Sequence, residues 1–464
     1  MRTPSPRTLP SIRSLQRQSN ASRLFSSSSS PGTTPLDISS PSYAPIPNRA
    51  FISVTGPEPN LANFLNGILS IQVLPGSSPT DRTGFYSMFL SRHGRTYYDA
   101  FFHPHPSSPE AGYIIEYDPR PSPSELLKDP SIEKAPIPSL PSLLKRFVLR
   151  SKVKVKDVSD EWEAWGVWGG EAEKLADRRR ERMWTGWKWA ATSSAVEPTW
   201  LGSRTPDIRL GLELAESELL PFEKDNGTGS WDWRVPTMGR RLLIPKAARP
   251  ILPGEYTLGT SFDYARHRIM NGVPEGSVDM AETIPFERNV DMMGGLDFRK
   301  GCYVGQENVV RTYHTGMIRK RTFPIEISPL SSPDGTPISS QLNGDYLDPA
   351  PPRLTDIILR LTPSGVEAAS RDSPVRTSAR ASTASSSADR VRTKGKLLSR
   401  AGNWALAQLR TEHVEAFERG EMKMFIPAPP ELSVPAGSVW QLTPRLPQWW
   451  PRAPPADEAT STPS

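Results

Sequence analysis

KGCYVGQE, residues Lys300–Glu307, contains Cys302, the one cysteine in a chain of 464 residues. Glycines in this octapeptide and in the upstream GGLDF predict backbone that turns tightly or approaches a neighbour closely. The run GQENVVRTYH that follows predicts a short helix ended by Gly316, which sets Cys302 just before a helix N-terminus. There the helix macrodipole, with Arg299 and Lys300 nearby, favours the thiolate. On the helix, Glu307 and Arg311 stand at ion-pair spacing, and His314 lies three residues beyond Arg311. Three roles for the thiol stay open on these residues: a nucleophile paired with His314, an iron or cluster ligand, or a packed, inert side chain. The first lacks a residue to orient His314 and an oxyanion donor. Composition alone favours the last.

A single cysteine excludes an intramolecular disulfide, which fits a reducing compartment. It also excludes a zinc or iron–sulfur site built from several cysteines of one chain. Cys302 can hold iron or a cluster only with further ligands from elsewhere, for example across an interface with a partner.

The mass of 51.4 kDa allows more than one domain. Fifty prolines and 36% hydrophobic residues place much of the chain in loops and linkers. No run of apolar residues is long enough to span a membrane. The pI of about 9.3 points at first to nucleic acid. However, residues 1–25 hold five arginines, no lysine and no acid, and without them the net charge falls from +6 to +1. Nucleic-acid binding is therefore not expected. The Gly-rich phosphate motifs are absent, which argues against a nucleotide enzyme.

The acid-free, Arg- and Ser-rich opening has the composition of a mitochondrial transit peptide over 1–25, and RLFSSSSS resembles a matrix-protease site after Phe25. Residues 26–46 read as a disordered linker. From there FISVTG, EPNLANFLNGIL, the GFYSMFL and TYYDAFF arms of a hairpin, GYIIEYD, LLKRFV and KVKVKD predict strand, helix, three strands, helix and strand. That order indicates an α+β domain over 47–320. Residues 161–200 crowd Trp162, Trp165, Trp168, Trp184, Trp187, Trp189 and Trp200 around a charged run. They read as an insertion whose rings pack on the neighbouring sheet in preference to an aromatic contact platform. SFDYARHRIM predicts a helix stopped by Gly272 and Pro274. KRTFPIEI, TDIILRLTP and GKLLSRAGNWALAQLRTEHV predict a small β-rich domain over 321–450, interrupted by a disordered Ser/Ala/Arg insertion at 366–393 and followed by a disordered tail at 451–464.

With PFERNVD before it and RTYHTGMIRKR after it, KGCYVGQE resembles the signature of the aminomethyltransferase-like family. That family contains a mitochondrial iron–sulfur cluster assembly factor and a bacterial folate-binding, tRNA-modifying relative. FLSRHGRTYYDAFF, LLKRFVLRSKVKVKD, RHRIMNGVPEG and GNWALAQLR resemble further segments, so the likeness extends over much of the chain. The resemblance implies a folate-binding fold with a small C-terminal β-barrel. It places the family's cysteine on Cys302, flanked by Lys300, Gly301, Tyr303, Gly305, Gln306, Glu307 and, in the continuation, Arg311. It aligns a one-carbon-transfer carboxylate of the glycine-cleavage relatives with Asp99 and their pterin-contacting glutamate with Glu287; a carboxylate suits the N–H donors of a pterin.

The function so implied is assembly of four-iron, four-sulfur clusters in the mitochondrial matrix. A-type scaffold proteins would be the partners, aconitase-like and lipoyl-synthase-like proteins the targets, and Cys302 a ligand of a shared, bridging iron–sulfur cluster or a redox thiol. The alternative is a tetrahydrofolate-dependent one-carbon transferase using Asp99 and Glu287.

Overall fold

In the computed structural model, which describes residues 40–73, 84–106, 112–122, 136–170, 184–200, 228–333, 336–338, 350–364, 390–430, 432 and 434–451, the first half is two five-stranded sheets packed face to face. The first sheet is antiparallel throughout, in the order Phe85–Leu90, Thr96–Pro104, Gly112–Tyr117, Ala50–Thr55, Lys154–Asp157. Its outer face is covered by two helices, Asn60–Ile68 and Leu140–Val148. The first of these buries Leu61, Phe64, Leu65 and Ile68 at helical spacing. The order of elements read from the sequence over these residues is the order observed.

The inner face meets the second sheet, ordered Thr228–Trp231, Arg240–Pro245, Trp162–Trp168, Ser42–Pro45, Thr257–Leu258. Phe51 and Ile114 of the first sheet pack there with Ala164, Trp168 and Leu243 of the second. Two expectations change here. Ser42–Pro45, placed in the linker, forms a strand paired with Trp162–Trp168. Trp162–Trp168, placed in an insertion, is the middle strand of its sheet. Trp168 faces one apolar cluster and Trp165 another. A strand buried on both faces loses the polar–apolar alternation that would have marked it. What remains of the insertion is the two-stranded hairpin Trp184–Trp189 and Val196–Trp200.

The helix Ser261–Met270 begins with a reciprocal capping box between Thr260 and Asp263. Its Phe262 and Ile269 pack on Leu398 and Leu406, joining the sheets to the C-terminal domain. That domain is a closed barrel of Lys320–Ile327, Trp404–Arg410, Arg390–Ala401, Asp356–Leu361, Met422–Pro427 and Val439–Pro444. Closure leaves no unpaired edge. Thr411–Val414, the end of a run expected to be strand-like, instead opens the helix Thr411–Glu418, and residues 390–393, assigned to the insertion, begin a barrel strand. The transit peptide, the 171–183 charged run, the rest of the 366–393 insertion and the tail beyond 451 lie outside the described residues. No described helix is long and apolar enough to cross a membrane.

Candidate functional site

Cys302 is exposed, at the tip of a loop pinned on both sides. Before it, Lys300 turns inward: its Nζ donates to the carbonyls of Asn66 (2.9 Å) and Leu69 (2.6 Å). These lie at the C-terminal end of the Asn60–Ile68 helix, where the dipole favours a cation. The ammonium also sits 4.6 Å from the centroid of the Tyr303 ring. Burial pulls Lys300 down to about 8, with Asp297 acting in the opposite direction.

After the cysteine, Tyr303 is buried and the Val304 N–H donates to the Gly67 carbonyl at 3.1 Å. Gly305 has φ +83°, and a Cβ there would collide with the Ser91 carbonyl oxygen and approach Gly94 Cα to 3.2 Å. Asn308 Nδ2 donates to the His93 carbonyl at 2.9 Å, so the loop also rests on the Ser91–Arg95 hairpin turn. Gln306 Oε1 accepts from the Tyr303 N–H at 3.3 Å. Lys300, Tyr303, Gly305 and Gln306 therefore hold the loop, while Gly301, Cys302 and Glu307 are exposed.

The helix predicted after the loop runs Gln306–Thr315. His314 sits about 12 Å along its axis from Gln306, edge-on to Tyr313 at 5.1 Å, so no Cys302–His314 pair forms. Arg311 donates to Asn308 Oδ1 instead of pairing with Glu307. Arg299 pairs with Glu197 at 3.4 Å. The two cations expected to favour the thiolate are thus committed elsewhere. The far end of the helix is capped by the 184–200 hairpin: Ser193 Oγ donates to the Tyr313 carbonyl (2.5 Å), Thr192 Oγ1 to the His314 carbonyl, and Tyr313 OH to Glu197 Oε1 (2.9 Å). These contacts satisfy carbonyls that a helix end leaves without partners.

Asp99 lies elsewhere, between the two sheets, beside a buried charge network. Glu116 receives Arg49, Arg241 and His103; Glu275 receives Arg49, Arg234, Arg241 and Tyr264; Arg234 also grips Asp232. Arginines at 49, 234 and 241 balance acids at 116, 232 and 275, and Asp99 is one carboxylate too many. Burial, opposed by Arg49 and reinforced by Glu275, pushes Asp99 up to about 6, while both its oxygens accept from the Gly276 N–H at 3.1 and 3.2 Å. Glu116 and Glu275 are driven the other way, held well below the usual carboxylate range by the arginines. Burial pulls His103 down, with its hydrogen bond to Glu116 acting in the opposite direction.

The sign for Asp99 follows from linkage. Between about pH 4 and 6 the folded chain keeps a proton that the unfolded chain has released, so stability falls as pH rises through that window. Asp99→Asn is expected to stabilise the protein by about 1–3 kcal/mol at pH 7.5, with the gain fading as pH falls from 6 to 4. Urea unfolding at a series of pH values measures it; equal shifts at pH 4 and 7.5 would contradict the assignment.

Glu287 does not join Asp99. Its Oε2 accepts from Gln408 Nε2 of the barrel at 2.7 Å, and no described side chain bonds to both acids. Sequence reasoning found Asp99 but missed Arg49, Glu116, Arg234, Arg241 and Glu275. The one available signal was a single acid, Glu116, inside an otherwise apolar strand, GYIIEY. Among the described residues no group of three or more His, Cys, Asp or Glu side chains converges to hold a metal.

Residues 360–452 match the family model described as "CAF17, C-terminal beta-barrel domain". The chain is 35% identical over 313 residues to the mitochondrial "iron-sulfur cluster assembly factor IBA57 homolog" of Cryptococcus neoformans, a match covering 66% of this chain and 72% of that protein. Its counterpart in Aspergillus fumigatus is 34% identical, covering 68% and 66%. The one in Mycosarcoma maydis is 28% identical over 94% and 92%. Among solved structures, the glycine cleavage system aminomethyltransferase T of Bartonella henselae is similar with a TM-score of 0.45 at 11% identity, covering 89% of this chain and 87% of that one.

Proposed function

This chain belongs to the IBA57 family of iron–sulfur cluster assembly factors, and we propose on that footing that it assembles four-iron, four-sulfur clusters in the mitochondrial matrix, with Cys302 as its single cluster-binding thiol. The observation that carries the reading is the exposed thiol at the tip of a loop pinned at Lys300, Val304 and Gly305. One thiol cannot hold a cluster, so the remaining ligands come from a partner, for which an A-type scaffold protein is the natural class. The cluster is cargo here. As Cys302 Sγ bonds to iron it releases its proton, and a thiolate of the partner leaves that iron and takes up a proton. The pinned loop keeps the Cys302 backbone placed during the exchange, so little ordering is needed when the partner docks. Aconitase-like and lipoyl-synthase-like proteins would be the targets.

The test mixes the protein with a cluster-loaded A-type scaffold and follows visible circular dichroism of the cluster and its delivery to apo-aconitase. Cys302→Ala is expected to lower delivery by at least about tenfold without changing the fold, since the side chain is exposed. Undiminished delivery by Cys302→Ala would overturn the reading.

The second expectation, a tetrahydrofolate transferase, needs Asp99 and Glu287 to face one ligand. Glu287 is engaged by Gln408, and Asp99 is buried against Gly276, so the pair does not fit a pterin.

A further inference from the structure

The turn Ser91–Arg95 and the loop and helix from Arg299 to Thr315 are pressed together through Gly94, Gly305, His93 and Asn308. Their exposed charged residues are Arg92, Arg95, Arg299 and Arg311 against one acid, Glu307. Elsewhere several exposed cations pair with acids, Lys156 with Glu161, Arg419 with Glu421 and Arg445 with Glu326, whereas others, among them Lys145, Arg146 and Arg150, have no carboxylate partner among the described residues. On this face Arg92 bonds the His93 ring, Arg95 the main-chain oxygen of Glu282, and Arg311 the amide of Asn308. None of these three has a carboxylate partner among the described residues, and only Arg299 does. Gly305, which touches the turn, is three residues from Cys302, a span of at most about 10 Å. The turn's arginines therefore stand beside the loop that carries the thiol.

We propose that this arginine face, built from Arg92, Arg95 and Arg311 around the Cys302 loop, is the docking surface for an acidic protein that carries the cluster. The proposal rests on the cluster-binding reading of Cys302 and deepens it by naming the partner's surface chemistry. Two lines of charge complementarity support a protein partner. A thiolate-ligated iron–sulfur cluster is itself an anion, because sulfide and thiolate charges outweigh those of the irons. An acidic rim around that cluster on the partner would meet uncommitted guanidinium groups here. Such pairing steers encounter and fixes orientation. Nucleic acid is the poorer match: these segments expose no Phe, Tyr or Trp ring for base stacking, and so few cations make few phosphate contacts.

The experiment measures association of the full chain with a cluster-loaded A-type scaffold protein, by calorimetry, at about 50 and 300 mM salt. For the wild type, binding should weaken about tenfold or more across that range. Arg92→Glu/Arg95→Glu/Arg311→Glu should lose about tenfold or more at low salt and show little further salt dependence. The milder Arg92→Gln/Arg311→Gln should fall between, and covers the case in which charge reversal disturbs folding. Wild-type binding that ignores salt, or variants that bind as wild type does, would overturn the proposal. So would competition by transfer RNA at concentrations matching the scaffold, which would give the face to nucleic acid. Cys302→Ala separates the two ideas: loss of delivery with undiminished, salt-sensitive binding supports both, whereas undiminished delivery removes the cluster-binding reading and leaves the arginine face to be judged on binding alone.

Discussion

Glu275→Ala is expected to cost about 3–5 kcal/mol of folding stability, the largest effect of any single substitution considered. Glu275 accepts from Arg49, Arg234, Arg241 and Tyr264, and it is buried between the sheets. Its removal leaves three buried guanidinium groups to share Glu116 and Asp232, in a region built from strands far apart in sequence. Asp99 softens the loss: burial raises its pKa to about 6, so at neutral pH it already carries a charge, and with Glu275 gone one of the repulsions on that charge disappears while its attraction to Arg49 and Arg234 remains. The double variant Glu275→Ala/Asp99→Asn should therefore lose more than the sum of the two single changes, a coupling that a double-mutant cycle reads directly. Glu275→Gln should lie between wild type and Glu275→Ala. A urea midpoint for Glu275→Ala within 0.5 M of the wild type, on the order of 1 kcal/mol, would contradict this account.

Gly305→Ala is expected to destabilise the protein by about 2–4 kcal/mol and to impair cluster delivery. Two effects add. A left-handed backbone at φ +83° costs an alanine roughly 1–2 kcal/mol, and the new methyl group has no room beside the Ser91 carbonyl and Gly94. Gly301→Ala is the internal control, because a Cβ at that position meets nothing within 4 Å and φ is not left-handed; it should stay within about 0.5 kcal/mol of wild type. Equal thermal unfolding of the two variants would mean that Gly305 holds nothing in place.

How much of this was legible beforehand depends on how local the cause is. The strands and helices of residues 50–157 were readable because period and turn chemistry are written within a few residues of each other. The helix after Cys302 and its stop at Gly316 were readable for the same reason. The second sheet was partly hidden: Trp162–Trp168 is apolar on both faces, and Ser42–Pro45 is short and proline-bounded, so neither carries a strand's alternation. The charge network was hidden altogether. Glu116 and Arg241 are 125 residues apart, and nothing near either one announces the other. The roles inside KGCYVGQE were misjudged in a specific way: Lys300 has the look of a group that serves the thiol, but the two carbonyls that claim its ammonium belong to residues 66 and 69.

The contact between Gly94 and Gly305 has a consequence for engineering. Because the octapeptide takes its shape from a hairpin turn and a helix end two hundred residues upstream, it is not a portable cassette. A synthetic peptide of that sequence, or a graft onto another scaffold, would present a cysteine without its posture. A transplant would have to carry Asn66–Leu69 and Ser91–Arg95 along with it.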